Sequence, residues 1–450
     1  MAIVAMVVGW IQFAASRAPG HDATAPSRVE LTDELTGRLI LSVKAIERSS
    51  GGSVSADALL VQADSMAAGS PAQQLAYVVL LSEMRGVDVG LQEAAKRGEA
   101  AGQIWNDDDI ALRAAIVERL EQRRDQLNIA PLDADARERL GWYAELVEGT
   151  AKPSAAAVIA LSGAGVWYLV FGLGGFILLV LFLSLSGLGR MRAACTPPTT
   201  FGPVLVETFA IWMCLFFGAN LGLGLIADSI ESDWLRLLIA PTVFFGSLIA
   251  LAWPSIRGVQ WKDTRAAIGW TTNGVANDIG WGFIGYALAL PLLGLGLVVM
   301  FALSSLLGQA PNASHPAIER IAHAGPVGLA VIFLLACIAA PIVEETMFRG
   351  VLYRHLRDAT TPSGGSVSAG FRTAGTVLSV TISALVSSTI FAAIHPQGLL
   401  FIPVLAGLAC GFCLVREWRG SLLPGMVAHG IQNFVTIGLN VAIQAWIVSP

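Results

Sequence analysis

Glu344, Glu345, Arg349, His395 and His429 stand in runs of sequence that are otherwise apolar. A charged side chain in such surroundings loses its hydration, so each of the five needs a partner or a task. Glu207 is a sixth, early in an apolar run of its own. The spacing of the five narrows the chemistry. Glu345 precedes Arg349 by four residues, one helical turn, where a carboxylate and a guanidinium can pair and offset each other's desolvation. Glu344 points about 100° away from its neighbour on a helix and has no cation at that spacing. A carboxylate left without a cation in an apolar cavity is a base strong enough to take a proton from water. His429 and Asn433 are also four apart and share a helical face, setting two hydrogen-bond donors side by side, and Phe391 and His395 repeat the interval. Taken singly, these features have bland readings: an ion pair that closes a helix end, or a histidine that caps one before Pro396. Three separate apolar segments that each supply polar groups favour one shared site. Glu207 has no such company and reads as structural or interfacial.

The elements that must position these residues are membrane helices. The chain has 450 residues, 54% hydrophobic and 14% charged, with a mean hydropathy of +0.65, a composition that points to an integral membrane protein. The charges are unevenly spread. Between Arg17 and Lys152 there are 22 acidic and 15 basic residues, which leaves 24 charges for the other 314 positions. A polar insert thus interrupts a hydrophobic chain. Its net charge of −7, against +2 elsewhere, offers no dense basic face for nucleic acid. None of the five cysteines lies in the insert, so no disulfide framework stabilises it. Cys410 and Cys413 have a CxxC spacing within an apolar run, where buried packing is the expected role.

A spanning helix needs about 20 largely apolar residues. Windows of that kind fall near 159–185, 204–226, 235–253, 279–303, 327–348, 377–395, 399–415 and 422–447, which makes about eight spans. Basic residues gather in alternate loops, at Arg190 and Arg192, at Arg257, Lys262 and Arg265, at Arg354 and Arg357, and at Arg416 and Arg419. Lys and Arg are retained on the cytoplasmic side, so the insert is expected outside the cytoplasm of a bacterial inner membrane. Residues 1–16 are a short apolar segment, a signal anchor or short transmembrane helix. Trp234, Trp253, Trp281 and Trp446 lie near span ends, as interfacial anchors do. Within the insert, apolar residues at three- and four-residue spacing predict helices near 31–48, 56–68, 71–84, 89–101, 108–126 and 133–148. Ser70-Pro71 and the run Asp107, Asp108 and Asp109 look like helix starts. Paired short helices could stack as a solenoid, although no 34-residue repeat is evident, and a small bundle used for protein-partner contact is the plainer reading. The expected fold class is all-α: a polytopic transmembrane helical bundle with an N-terminal soluble α-helical domain. Its divisions are 1–16, 17–155, transmembrane helices of unassigned role at 156–320, and the motif-bearing part at 321–450.

Simple alternation of spans creates a difficulty. Glu344 would lie toward the cytoplasmic end of its helix and His395 toward the opposite face. A shared site therefore requires the sixth span to start late, after the Gly- and Ser-rich stretch 363–375, and to break at Pro396 so that His395 lies at mid-depth.

The three pieces, EExxxR at Glu344 to Arg349, FxxxH at Phe391 to His395 and HxxxN at His429 to Asn433, occur in order over about 90 residues. They resemble the signature of the CPBP intramembrane protease family, which includes CAAX prenyl endopeptidases and the bacteriocin-processing and self-immunity proteins of the Abi group. The resemblance covers roughly 327–447. It implies an endopeptidase that hydrolyses a membrane-associated peptide, prenylated or leader-type, in a cavity within the bilayer. Glu344 would be the catalytic carboxylate, His395 its helper in activating water, and His429 with Asn433 the oxyanion site. Glu345, Arg349 and Phe391 would support them. The cofactor stays open between none and zinc. Glu344, His395 and His429 with a water would complete a catalytic zinc site, yet an Asn one turn from His429 is better explained as an oxyanion donor. Two rival classes also remain: a catalytically silent membrane scaffold or immunity protein, and a proton-coupled transporter, since Glu and His in membranes also mark ion pathways. No second Glu-and-His set suggests the inverted repeat of a transporter.

Overall fold

A computed structural model describes residues 27–29, 31–50, 60, 63–100, 105–151, 155–187, 201–226, 233–271, 274–307, 321, 324–361 and 369–447. Residues 1–16 lie outside these, as do residues 363–368; the helix expected to start after the 363–375 stretch begins within it, at Ala369. Among the described residues the regular structure is helical throughout. The chain forms two compact units, one containing the described residues of Gly165–Leu306 and His323–Leu439, the other those of Gly9–Ala164, Leu307–Ala322 and Asn440–Pro450.

The second unit is chiefly the polar insert. Its helices are α1 (Leu31–Ser50), α2 (Asp64–Ala67), α3 (Pro71–Arg85), α4 (Val87–Ala100), α5 (Asp107–Arg124), α6 (Ala134–Leu140) and α7 (Trp142–Val147). The expected starts at Ser70 and near Asp107 are present. Ser70 accepts from the Gln73 amide while the Gln73 side chain accepts from the Ser70 amide, a reciprocal cap. For α5 the cap is Asn106, one residue before the acidic run, which forms the first turn. Of the helix expected near 56–68, only α2 is helical among the described residues. The helix expected over 133–148 is instead two, broken at Gly141. That residue has φ +56°, and a Cβ there would overlap the Glu34 carboxylate, which accepts from the Trp142 amide at 2.9 Å. Only glycine suits both demands. The core holds Ile40, Leu75, Val78, Val79, Ile116, Leu120, Leu140 and Tyr143. Burial holds the Glu34 carboxyl above the usual carboxylate range, with the Trp142 amide and Arg38 opposing that rise.

The first unit is the membrane part. Its helices are α8 (Ala155–Gly187), α9 (Val204–Ile226), α10 (Asp233–Ser247), α11 (Trp253–Ile256), α12 (Trp261–Ile268), α13 (Val275–Leu307), α14 (Pro326–Thr360), α15 (Ala369–Ala393), α16 (Ile402–Arg419) and α17 (Leu423–Ile447). Six of these, α8, α9, α13, α14, α15 and α16, are long and apolar enough to cross a bilayer. The other two windows of the sequence reading differ for physical reasons. The third carries Pro241 inside α10 and turns through a 3₁₀ segment, Leu248–Ala252, so its apolar helix is the shorter Pro241–Ile256. The last, α17, is long enough, but His429, Gln432 and Asn433 make one face polar. Glu207 is accounted for locally: it accepts from the Trp253 indole at 2.8 Å and pairs with Arg257 at 3.1 Å.

At the centre stands α14. It does not end near Phe348 but continues to Thr360, and it contains two π-helical segments, Leu335–Ala339 and Thr346–Leu352. Its residues Val343, Met347, Phe348 and Val351 are fully buried against Phe209 and Trp212 of α9, Ile268 of α12, Phe391 of α15 and Ala409 of α16. The extension places Glu344 near the middle of the helix. It also explains how the two ends of the motif meet, because His395 lies in the turn just beyond α15, which stops at Ala393 before Pro396.

Candidate active site

Two helices and one turn deliver the site. From α14 come Glu344, Glu345 and Arg349, from the turn after α15 His395, and from α17 His429 and Asn433. The Nε2 atoms of His395 and His429 lie 4.0 and 3.8 Å from the same atom, Oε2 of Glu344. No Lys or Arg pairs with Glu344 among the described residues, and its side chain keeps 15% exposure. Glu345 points the other way and is fully buried. Its Oε1 accepts from Arg349 at 2.9 Å and contacts Nδ1 of His429 at 3.0 Å. The expected ion pair is therefore present, and it does more than the sequence implied, since it also grips an imidazole.

Both histidines are oriented through Nδ1. His395 Nδ1 lies 2.7 Å from the Phe391 carbonyl, one turn back, and His429 Nδ1 faces Glu345. Each partner is an acceptor, so each ring carries its hydrogen on Nδ1 and turns Nε2 toward Glu344. Aromatic side chains fix the ring planes. Phe391 lies 4.3 Å from the His395 ring and 5.9 Å from that of His429, and Phe412 of α16 stacks on His429 at 5.3 Å and 23°. The Arg349 guanidinium lies over both Phe391 and Phe412, at 4.6 and 5.3 Å, and donates to the Ala409 carbonyl. Phe412 was not legible as a site residue, because it sits in an apolar run and only the pairing of α16 with α17 makes it a neighbour of His429.

Asn433 stands one turn beyond His429 and donates from Nδ2 to the Ala336 carbonyl at 2.7 Å. Ala336 belongs to the first π segment of α14, where the widened helix leaves carbonyls without their usual i+4 partner. One Asn433 N–H is committed to the backbone and a second remains. Gly430 permits this approach, since a Cβ there would lie 2.6 Å from the Cys337 carbonyl.

A metal ion bound through about 2.0 Å bonds needs donor atoms about 3.3 Å apart in a tetrahedral site. The Nε2 to Oε2 separations are wider than that, and among the described residues no group of three His, Cys, Asp or Glu side chains is arranged to hold a metal. As it stands the arrangement does not fit zinc. The thiols of Cys410 and Cys413 are free, with Cys413 fully buried against Ser388.

Residues 326–435 match the family model described as type II CAAX prenyl endopeptidase Rce1-like. This segment is a CAAX protease-family domain. The match begins at the first residue of α14 and ends two residues past Asn433, so it takes in every residue of the three-part motif. No curated protein and no solved structure matches the chain. At the level the family supports, this is an integral membrane protein with a CAAX-type intramembrane endopeptidase domain.

Proposed function

We propose that Glu344 and His395 activate a water that attacks the scissile carbonyl of a membrane-associated peptide, of prenylated or leader type. The observation that supports this reading is the convergence of two imidazole nitrogens on one carboxylate oxygen, at 3.8 and 4.0 Å, from three separate elements. A water at that point has three acceptors within reach and can pass a proton to any of them. Glu344 takes the proton, and the same carboxyl group then delivers it to the leaving amine. His429 and Asn433 face the developing oxyanion. With Nδ1 committed to Glu345, donation from His429 Nε2 requires a second proton on the ring, and the Glu345 carboxylate supplies the compensating charge. Arg349 holds that carboxylate in place, and the Ala336 carbonyl orients the Asn433 amide so that its second N–H is available.

The proposal extends to the layout of the chain. Residues 321–450 act as the protease domain, 17–155 as a helical domain for protein contact on the extracytoplasmic side of a bacterial inner membrane, and 156–320 as helices that enclose the site. The basic loops at Arg257, Lys262 and Arg265 and at Arg416 and Arg419 support that orientation.

The deciding experiment compares membrane fractions of cells carrying the wild-type chain, Glu344→Gln and His395→Ala, reading out uncleaved membrane peptides by proteomics. Peptides that accumulate in both variants at normal expression support the protease; full biological activity in both would leave only the scaffold reading. In a purified cleavage assay a chelator leaves the rate unchanged. Loss of activity that zinc restores would instead assign Glu344, His395 and His429 as ligands.

A further inference from the structure

The short helix α12 is amphipathic. Thr264, Ala267 and Ile268 are buried, and Ile268 joins the core around Met347, Phe348 and Val351 of α14. The adjoining exposed arc carries Trp261, Lys262 and Arg265, which fall within roughly 100° of the helix circumference. Trp261 is 45% exposed and Ile256, on the turn before, 71%. Neither Lys262 nor Arg265 has an ion-pair partner among the described residues, whereas Arg257 is taken by Glu207. Asp263 lies in the first turn, where it offsets the helix N-terminal dipole. Exposed Trp and Ile beside two unpaired cations form the surface that lies in a membrane interface and selects anionic headgroups.

This surface is wired to the catalytic helix. The Trp261 ring meets Trp270 edge to face at 6.1 Å. Trp270 donates its indole N–H to the Thr346 hydroxyl at 3.0 Å, and Thr346 directly follows Glu344 and Glu345. Its hydroxyl in turn donates to the Ile342 carbonyl at 2.7 Å, one turn back along α14. We propose that α12 is a docking helix for anionic lipid headgroups, and that Trp261, Trp270 and Thr346 transmit this docking to the segment bearing Glu344. The second half rests on the protease reading; the first does not.

The test uses the full chain in vesicles of phosphatidylcholine with or without phosphatidylglycerol. Docking is read as quenching of tryptophan fluorescence by lipid labelled near the headgroup, with Trp261→Phe subtracted to isolate that residue. Labelled phosphatidylglycerol quenches Trp261 more than labelled phosphatidylcholine does. The preference falls about fivefold for each cation removed in Lys262→Gln and Arg265→Gln and is screened by salt. Equal quenching by the two lipids overturns the docking site. Coupling is read as peptide cleavage, which rises with phosphatidylglycerol in the wild type and stays flat in the double variant. Trp270→Phe keeps the quenching preference and loses the rate response. A wild-type rate that ignores phosphatidylglycerol while the quenching preference persists overturns the coupling. Absence of cleavage in every lipid counts against the protease reading and leaves the docking result standing.

Discussion

Two buried ionic clusters lie along α14, one around Glu344 and Glu345 and the other around Arg357, roughly 18 Å further along the helix axis. In the second, Arg357 meets Glu417 of α16 in a two-point pair, Nη2 to Oε1 at 2.9 Å and Nε to Oε2 at 3.1 Å. Tyr353 donates to the same Oε2 at 2.9 Å, and the remaining guanidinium nitrogen donates to Thr361 and Ser379. Both carboxylate oxygens are satisfied. In the first cluster, Glu345 Oε1 takes both Arg349 and His429 while its Oε2 is buried without a partner among the described residues. Glu344 has no partner within hydrogen-bond distance among the described residues. A saturated cluster can only hold helices together. One with unmet acceptors around an imidazole pair has capacity left for a reactant.

The comparison can be broken from either side. Glu344→Gln is expected to lower peptide cleavage about 10³- to 10⁴-fold with little change in the thermal unfolding of the purified protein; retained cleavage would remove the distinction between the clusters. Arg357→Ala should do the reverse. It leaves Glu417 buried and unpaired, at a cost of about 3–5 kcal/mol in stability, while the rate per folded molecule persists. The double variant Arg357→Met with Glu417→Leu should recover most of that stability, as calorimetry in detergent would show. Asn433→Ala should lower kcat about 10²-fold and leave KM nearly unchanged, a split that a purely structural amide would not produce. The smallest effect is that of Tyr353→Phe, about 1 kcal/mol of stability with no change in rate, and a rate loss there would show that the two clusters are coupled.

How much of this was legible from the sequence follows from the range of each interaction. Contacts within one turn of helix were open to reading: Glu345 with Arg349, His395 with Phe391, the Ser70 cap and the polar insert as a chain of short helices. The expectation that His395 lies where a helix breaks at Pro396 agrees with the turn after Ala393. The end of α14 was not legible. Its extension past Phe348 runs through Arg354 and Arg357, which look like a cytoplasmic loop by charge, yet both are buried and paired, Arg354 with Asp358 one turn along and Arg357 with Glu417 of α16. A hydropathy count cannot see that Arg357 has its carboxylate on another helix. Nor could it see Phe412, whose stacking on His429 depends on how α16 and α17 meet.

The sequence alone determined the membrane class, the polar insert and the identity of the motif residues, because apolar run length, charge density and one-turn spacing are properties of neighbouring residues. Tertiary structure decided which groups Glu344 faces, that Glu345 serves His429 as well as Arg349, and that Asn433 is oriented by the Ala336 carbonyl. Each of these contacts joins residues 51 to 97 positions apart, apart from the Arg349 pair, and no local preference specifies them. They follow from the packing of α14, α15, α16 and α17, in which buried polar atoms must find partners on another helix because the bilayer offers none.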